Sequence, residues 1–186
     1  MESESGMLGE LTADHQRIQR LFDQVRSAAP GSAERTSLVE RISISAVRHL
    51  VAEREHLHPT VRRYVVDGDD WVQAQLAQGR ELEWTLSALE AADPRGEEFV
   101  ELLLAAGAGV TRHVLEQEQL VFPRLQALCP PGVLRAAGSD VRPTEESAPT
   151  RPRPRSPRSA PLVKVTALAW GPLDRLRDVV TRRGRG

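Results

Sequence analysis

HLVAEREHLHP, residues 49–59, returns later in the chain as HVLEQEQLVFP, residues 113–123. Both segments open on histidine and close on proline, with apolar residues at helical spacing between. The match is anchored at polar positions rather than at interchangeable leucines. The two segments therefore read as equivalent halves of a pseudo-twofold helical bundle. Outward from them, apolar residues recur every third or fourth position through residue 137, and no window alternates as a strand would. Leu8, Leu11, His15, Ile18, Phe22 and Val25 form a first stripe, stopped by Pro30-Gly31. A second helix opens near Ser32 and carries Leu38, Ile42, Ala46, His49, Glu53 and His56. Pro59 should kink or interrupt it, because proline removes a backbone donor. After a break at Asp67-Gly68-Asp69 comes a third stripe of Val72, Leu76, Gly79, Glu83 and Leu86. Asp93-Pro94 caps a fourth helix with Phe99, Leu103, Ala106, Val110, His113, Gln117 and Val121 inward, ended by Pro130-Pro131. Four helices joined by short turns predict an all-α, up-down-up-down four-helix bundle.

The chain has 186 residues, room for one domain of the usual ~100–150 residues and an extension. Cys129 is the single cysteine. That excludes an intramolecular disulfide and any CxxC motif, so a metal site would have to use His, Asp and Glu. No apolar run approaches the ~18 residues of a membrane span. The acidic, polar start MESESGMLGE does not resemble a secretory signal, and a cytoplasmic location is expected.

The formal net charge of −1 conceals an asymmetry: residues 1–141 carry 14 arginines against 22 acidic residues, and residues 142–186 carry 11 basic against 4 acidic. The stretch RPTEESAPTRPRPRSPRSAP, residues 142–161, alternates proline and arginine with almost no apolar side chains. Such a segment buries too little surface to offset the entropy of ordering. The bundle is therefore assigned to residues 1–137, a disordered linker to 138–161, and a C-terminal segment with a short amphipathic helix to 162–186. In that segment Pro172 suits a first helical turn and Gly184 an end. Leu173, Leu176, Val179 and Val180 would form its apolar side. It is read as docking back on the bundle, with a partner or a membrane surface as the alternative. The tail arginines lack interleaved aromatics and the domain is acidic. No specific nucleic acid is expected, only weak and salt-sensitive contact.

Three inward positions of the stripes are histidines, His15, His49 and His113, on three different helices. Glu53 follows His49 by four residues, so both face one side. A carboxylate buried without a partner would cost several kcal/mol, and a metal ion supplies one. Imidazole with carboxylate suits iron, manganese or zinc. Inward histidines that only hydrogen-bond within the core are the plainer alternative. His56 lies two turns past His49 on the same face, as an outer member of such a site or a surface group.

DHQRIQRLF (14–22), HLVAEREHLHP (49–59) and HVLEQEQLVFPRL (113–125) resemble the helix signatures of the hemerythrin-like, or HHE cation-binding, domain, over about residues 7–129. The resemblance implies a bundle around a non-haem di-iron centre: a His on helix one, HxxxE on helix two, a His on helix three and HxxxE on helix four. His15, His49, Glu53 and His113 match that pattern. Gly79 stands where the third-helix His would be, and Gln117 where the last carboxylate would be. Glu118, one residue on, and Glu83, one turn past Gly79, are the side chains that would compensate. The resemblance thus implies one or two iron ions, with zinc or manganese as other candidates, in a partly degenerate site. The roles it implies are sensing or handling of oxygen, nitric oxide or a peroxide, or iron homeostasis. A bundle that lost its metal and kept an interaction role is the alternative. No substrate pocket or acid/base pair can be named from the sequence, so binding is expected rather than catalysis.

Overall fold

The structure, a computed structural model, describes residues 6–153, 160–181 and 183, with the backbone alone for 160–169. Every regular element among the described residues is helical. Helix α1, Met7–Ser27, and α2, Ala33–Ala52, are joined through Gly31, whose φ of 72° suits a residue without a Cβ. Ser32 caps α2 by accepting the Arg35 N–H at 3.1 Å, satisfying one of the free donors of the first turn. A π turn, Glu53–Leu57, leads directly into α3, His58–Tyr64. Asp67 turns the chain with φ 58° into α4, Gly68–Ala91. After Gly96 comes α5, Glu97–Glu116, then a second π turn, Gln117–Val121, and α6, Phe122–Leu128. Two more helices follow, α7, Pro131–Ser147, and α8, Ala160–Thr181.

The expected kink at Pro59 takes the form of the π turn. Pro59 and Pro123 both lie in the first turn of the helix that follows such a turn. In each case the residue before the proline donates its N–H five residues back, His58 to Glu53 and Phe122 to Gln117, so the missing proline donor falls where the regular ladder is already interrupted. The sequence repeat is thus a structural repeat, with the wide turn at the same place in both halves.

The four long helices form a ring in which α1 packs on α2, α2 on α4, α4 on α5 and α5 on α1. Every residue of the four stripes is buried except His56, which is half-buried. The apolar core divides in two. Ile18, Phe22, Ile42, Leu86, Phe99 and Val110 belong to one cluster; Met7, Leu11, Leu57, Val72, Phe122 and Leu125 to the other. Along each helix the polar stripe residues fall between the two clusters. His15, His49, Glu53, Gly79, Glu83, His113 and Gln117 therefore occupy one layer across the bundle, closed off by hydrocarbon on both sides.

The C-terminal part corrects three expectations. Residues 138–147 are the second half of α7, not a disordered linker. Val141 is fully buried, Glu145 nearly so, and α7 packs on both α1 and α2. Average composition hid one inward face: Gly138, Val141 and Glu145 recur at helical spacing and point to the bundle. Secondly, Pro172 lies within α8 rather than in its first turn. Thirdly, α8 does not dock through its apolar side. Gly171 and Asp174 are buried, whereas Leu173, Leu176, Val179 and Val180 are exposed. Asp174 accepts from the Thr150 backbone N–H at 3.2 Å and from Arg153 at 2.5 Å, and Asp178 pairs with Arg151 at 3.0 Å. The arginines expected to keep the linker unfolded are the anchors that hold α8. Residues 154–159 and Gly184 lie outside the described residues. No helix among the described residues is long and apolar enough to cross a membrane.

Candidate metal centre

In the polar layer, α1 contributes His15, α2 contributes His49, the first π turn contributes Glu53 and α5 contributes His113. All four are buried, and one ligand-type atom from each falls within 4.8 Å of the others. The Nε2 atoms of His15 and His49 are 3.2 Å apart, and those of His49 and His113 are 3.4 Å apart. Glu53 Oε1 lies 2.9 Å from His49 Nε2 and 2.9 Å from His113 Nε2. Three imidazole nitrogens and a carboxylate oxygen thus aim at a common point.

The protonation preferences fit that arrangement. Burial, reinforced by His49 and His113, lowers the His15 pKa to about 2, so its ring is neutral and carries a lone pair. Burial pushes Glu53 upward, but His113 and His49 outweigh it and hold the carboxyl well below its ordinary range. An anionic oxygen beside three imidazoles is a donor set that a divalent cation satisfies. One buried acceptor beside it, Gln117 Oε1, has no partner at all. The Gln117 amide donates to Glu53 Oε1 at 2.5 Å. Gln75 continues the polar row, accepting from Gln117 at 3.5 Å and donating to Glu116 at 2.8 Å.

An outer contact sets the direction of the His15 ring. Glu118 Oε1 accepts from His15 Nδ1 at 2.7 Å, which commits that nitrogen as the donor and leaves Nε2 facing inward. The second π turn begins at Gln117. It lets Glu118 reach the layer although, on a regular helix, it would lie well off the His113 face. Behind His49, Asp14 Oδ2 stands 3.6 Å from Nδ1, and Glu145 of α7 completes a second buried group with them. Arg17 pairs with Asp14 and approaches Glu145 at 3.7 Å.

The remaining sequence candidates lie elsewhere in the layer. Glu83 is tied to Arg54 at 2.5 Å and accepts the Arg153 backbone N–H at 2.7 Å. His56 Nε2 bonds Thr144 Oγ1 of α7 at 2.8 Å and does not join the cluster. His58 is buried edge-on against Trp71. Periodicity does not single out Asp14, Arg54, Gln75 or Glu145 as members of the layer. Asp14 directly precedes His15, so extending the stripe one position would find it; Glu145 lies in the stretch whose composition reads as linker. A cleft of about 360 Å³ between α4 and α5 reaches His113, bordered by Gln78, Gly79, Leu82, Gly109 and Arg112.

The geometry can be set beside known proteins. The model of the hemerythrin HHE cation binding domain matches residues 7–125. An uncharacterised hemerythrin-like protein of Schizosaccharomyces pombe is 23% identical over 171 residues, which span 91% of this chain and 83% of that protein. No solved structure matches at a significant level. The matched span holds all four clustered side chains and Glu118, and the buried cluster together with the family match points to a metal cation site. The chain belongs to the hemerythrin HHE cation-binding family.

Proposed function

We propose that this chain is a non-haem iron-binding protein that holds its metal through His15, His49, Glu53 and His113, and that it senses or handles oxygen, nitric oxide or a peroxide, or serves iron homeostasis. The observation that carries the reading is the convergence of three buried Nε2 atoms on Glu53 Oε1. Zinc or manganese would suit the same donors, but zinc has no redox chemistry to offer a small oxidising ligand. A bound redox ion with an open coordination position would supply reversible binding of a small ligand. The protein's part is to keep the ligands fixed and dry. Glu118 holds the His15 ring, Asp14 backs His49, and the two apolar clusters exclude water from above and below. The cleft at His113 offers a small molecule a way in from the α4–α5 side.

The test is elemental analysis of the full chain purified without chelator, beside the His49→Ala variant. Bound iron in the parent and its loss in the variant are expected. Equal metal content in both would overturn the ligand assignment. A second reading, a metal-free bundle serving as an interaction module, draws on the Gln117 amide that already bonds Glu53. A parent chain that stays metal-free after anaerobic iron loading would favour it.

A further inference from the structure

The family pattern implied by the resemblance places a third-helix histidine where Gly79 stands, and Glu83 lies one turn beyond it. That half of the layer is filled in another way. Arg54, the residue after Glu53, turns inward and is buried. Its guanidinium lies 2.5 Å from Glu83 Oε1 and 3.8 Å from where a Cβ on Gly79 would be. The other Glu83 oxygen accepts the Arg153 backbone N–H at 2.7 Å, from the segment that anchors α8. Both oxygens of Glu83 are therefore taken, one by a fixed positive charge. In the sequence repeat, Arg54 occupies the position of Glu118. Each lies second in its π turn and each reaches the polar layer, one toward Glu83 and the other toward His15. The residues on this side do not fit a second metal ion. The imidazole is absent, the carboxylate of helix four is a neutral amide, and the remaining carboxylate is neutralised.

We propose that Arg54 is a built-in cation standing where a second metal ion would otherwise sit, so that the site takes one ion per chain and its pairing with Glu83 keeps the second position closed. This rests on the metal reading above and adds the stoichiometry. A guanidinium carries a fixed positive charge, and this one lies directly against Glu83 Oε1. In a buried layer an unpaired carboxylate is strongly disfavoured. The arginine thus does the electrostatic work of a metal without its coordination chemistry. Gly79 belongs to the same arrangement: a larger side chain there would crowd Leu50, which lies 3.2 Å from the position of its Cβ, and approach the guanidinium.

The experiment counts ions in the full chain loaded anaerobically with excess Fe(II) and desalted. The parent is expected to retain one ion. The Gly79→His/Gln117→Glu variant, with Arg54 in place, is expected to retain one. Adding Arg54→Ala to that pair is expected to raise the count to two. Two ions in the parent, or in the double variant, would overturn the role of Arg54 while leaving the metal reading intact. A folded triple variant that still holds one would overturn it as well. No ion in the parent would overturn both readings. Should the triple variant fail to fold, the Arg54→Met/Gln117→Glu variant, which frees Glu83 and restores a second carboxylate, provides the test. Its melting temperature should fall below that of the one-ion parent and recover in excess divalent cation, with the recovery lost when Glu83→Gln is added. Absence of recovery would show a merely structural ion pair and overturn the proposal.

Discussion

Glu118 and His15 meet across the bundle, carboxylate Oε1 to ring Nδ1 at 2.7 Å, although 103 positions separate them in the chain. Glu118 is about one-third exposed while His15 is buried, so the carboxylate links the layer to its edge. The bond selects the His15 tautomer whose free Nε2 looks toward His49. An outer carboxylate of this kind holds a ligand ring in place and raises its basicity.

Replacing Glu118 with Gln should accordingly weaken metal binding by about 10–100-fold without changing the number of ions bound. Competition with a chromophoric chelator would measure it. An affinity equal to that of the parent would remove Glu118 from the site.

Metal removal should lower the melting temperature, because an ion that binds only the folded chain stabilises it by mass action, by about 4 kcal/mol at a thousandfold excess over Kd. Scanning calorimetry before and after dialysis against a chelator reads this directly. The same transition in both samples would favour the interaction-module reading.

The metal-free protein should lose stability as the solution is acidified. Burial lowers the His58 pKa from 6.5 to about 4; the Glu53 charge pulls it back, and Arg54 and Arg62 lower it further. Between those two values the unfolded chain binds the extra proton and the folded chain does not. The contribution of His58 is thus complete above pH 6.5 and is lost as the pH falls toward 4, with a slope of up to about 1.4 kcal/mol per pH unit. Urea midpoints measured from about pH 7 to about pH 4.5 should fall less steeply for His58→Phe, by up to one proton's worth. Parallel curves for the two proteins would contradict the assignment.

The junction of α7 with the start of α1 should be sensitive to a single methyl group. A Cβ on Gly138 would lie 2.6 Å from the backbone of Gly6 and Met7, where no flexible side chain can yield. Gly138→Ala should therefore cost about 1–3 kcal/mol and loosen α7. A lower melting temperature and faster proteolysis between residues 131 and 153 are the expected signs. An unchanged melting temperature would show that the contact tolerates the methyl group.

Much of the bundle is legible in the order of residues along the chain. The stripes follow from the 3.6-residue period, and Pro30-Gly31 and Asp67-Gly68 end helices because neither pair continues one easily. His15, His49, Glu53 and His113 lie on those stripes, so periodicity alone places them on inward faces. Periodicity does not say which inward groups will touch. Glu118 and Arg54 are each one residue beyond a stripe position, and a regular helix would turn them about 100° away. The π turns bring them back, and local residue preferences do not announce such turns.

Composition misleads in the C-terminal part for a related reason. Over residues 138–161 it averages in arginines that, among the described residues, have defined partners. Arg151 and Arg153 bind Asp178 and Asp174, and Arg142 binds Glu10. The sequence by itself determined the helices, their inward faces and the histidine-rich layer, since these depend on spacing along one chain. Tertiary structure decided that Arg54 faces Glu83, that Glu118 holds His15, and that Glu145 stands behind His49. Those pairings join residues far apart in sequence, and their stability arises from burial and charge, which exist only once the helices have packed.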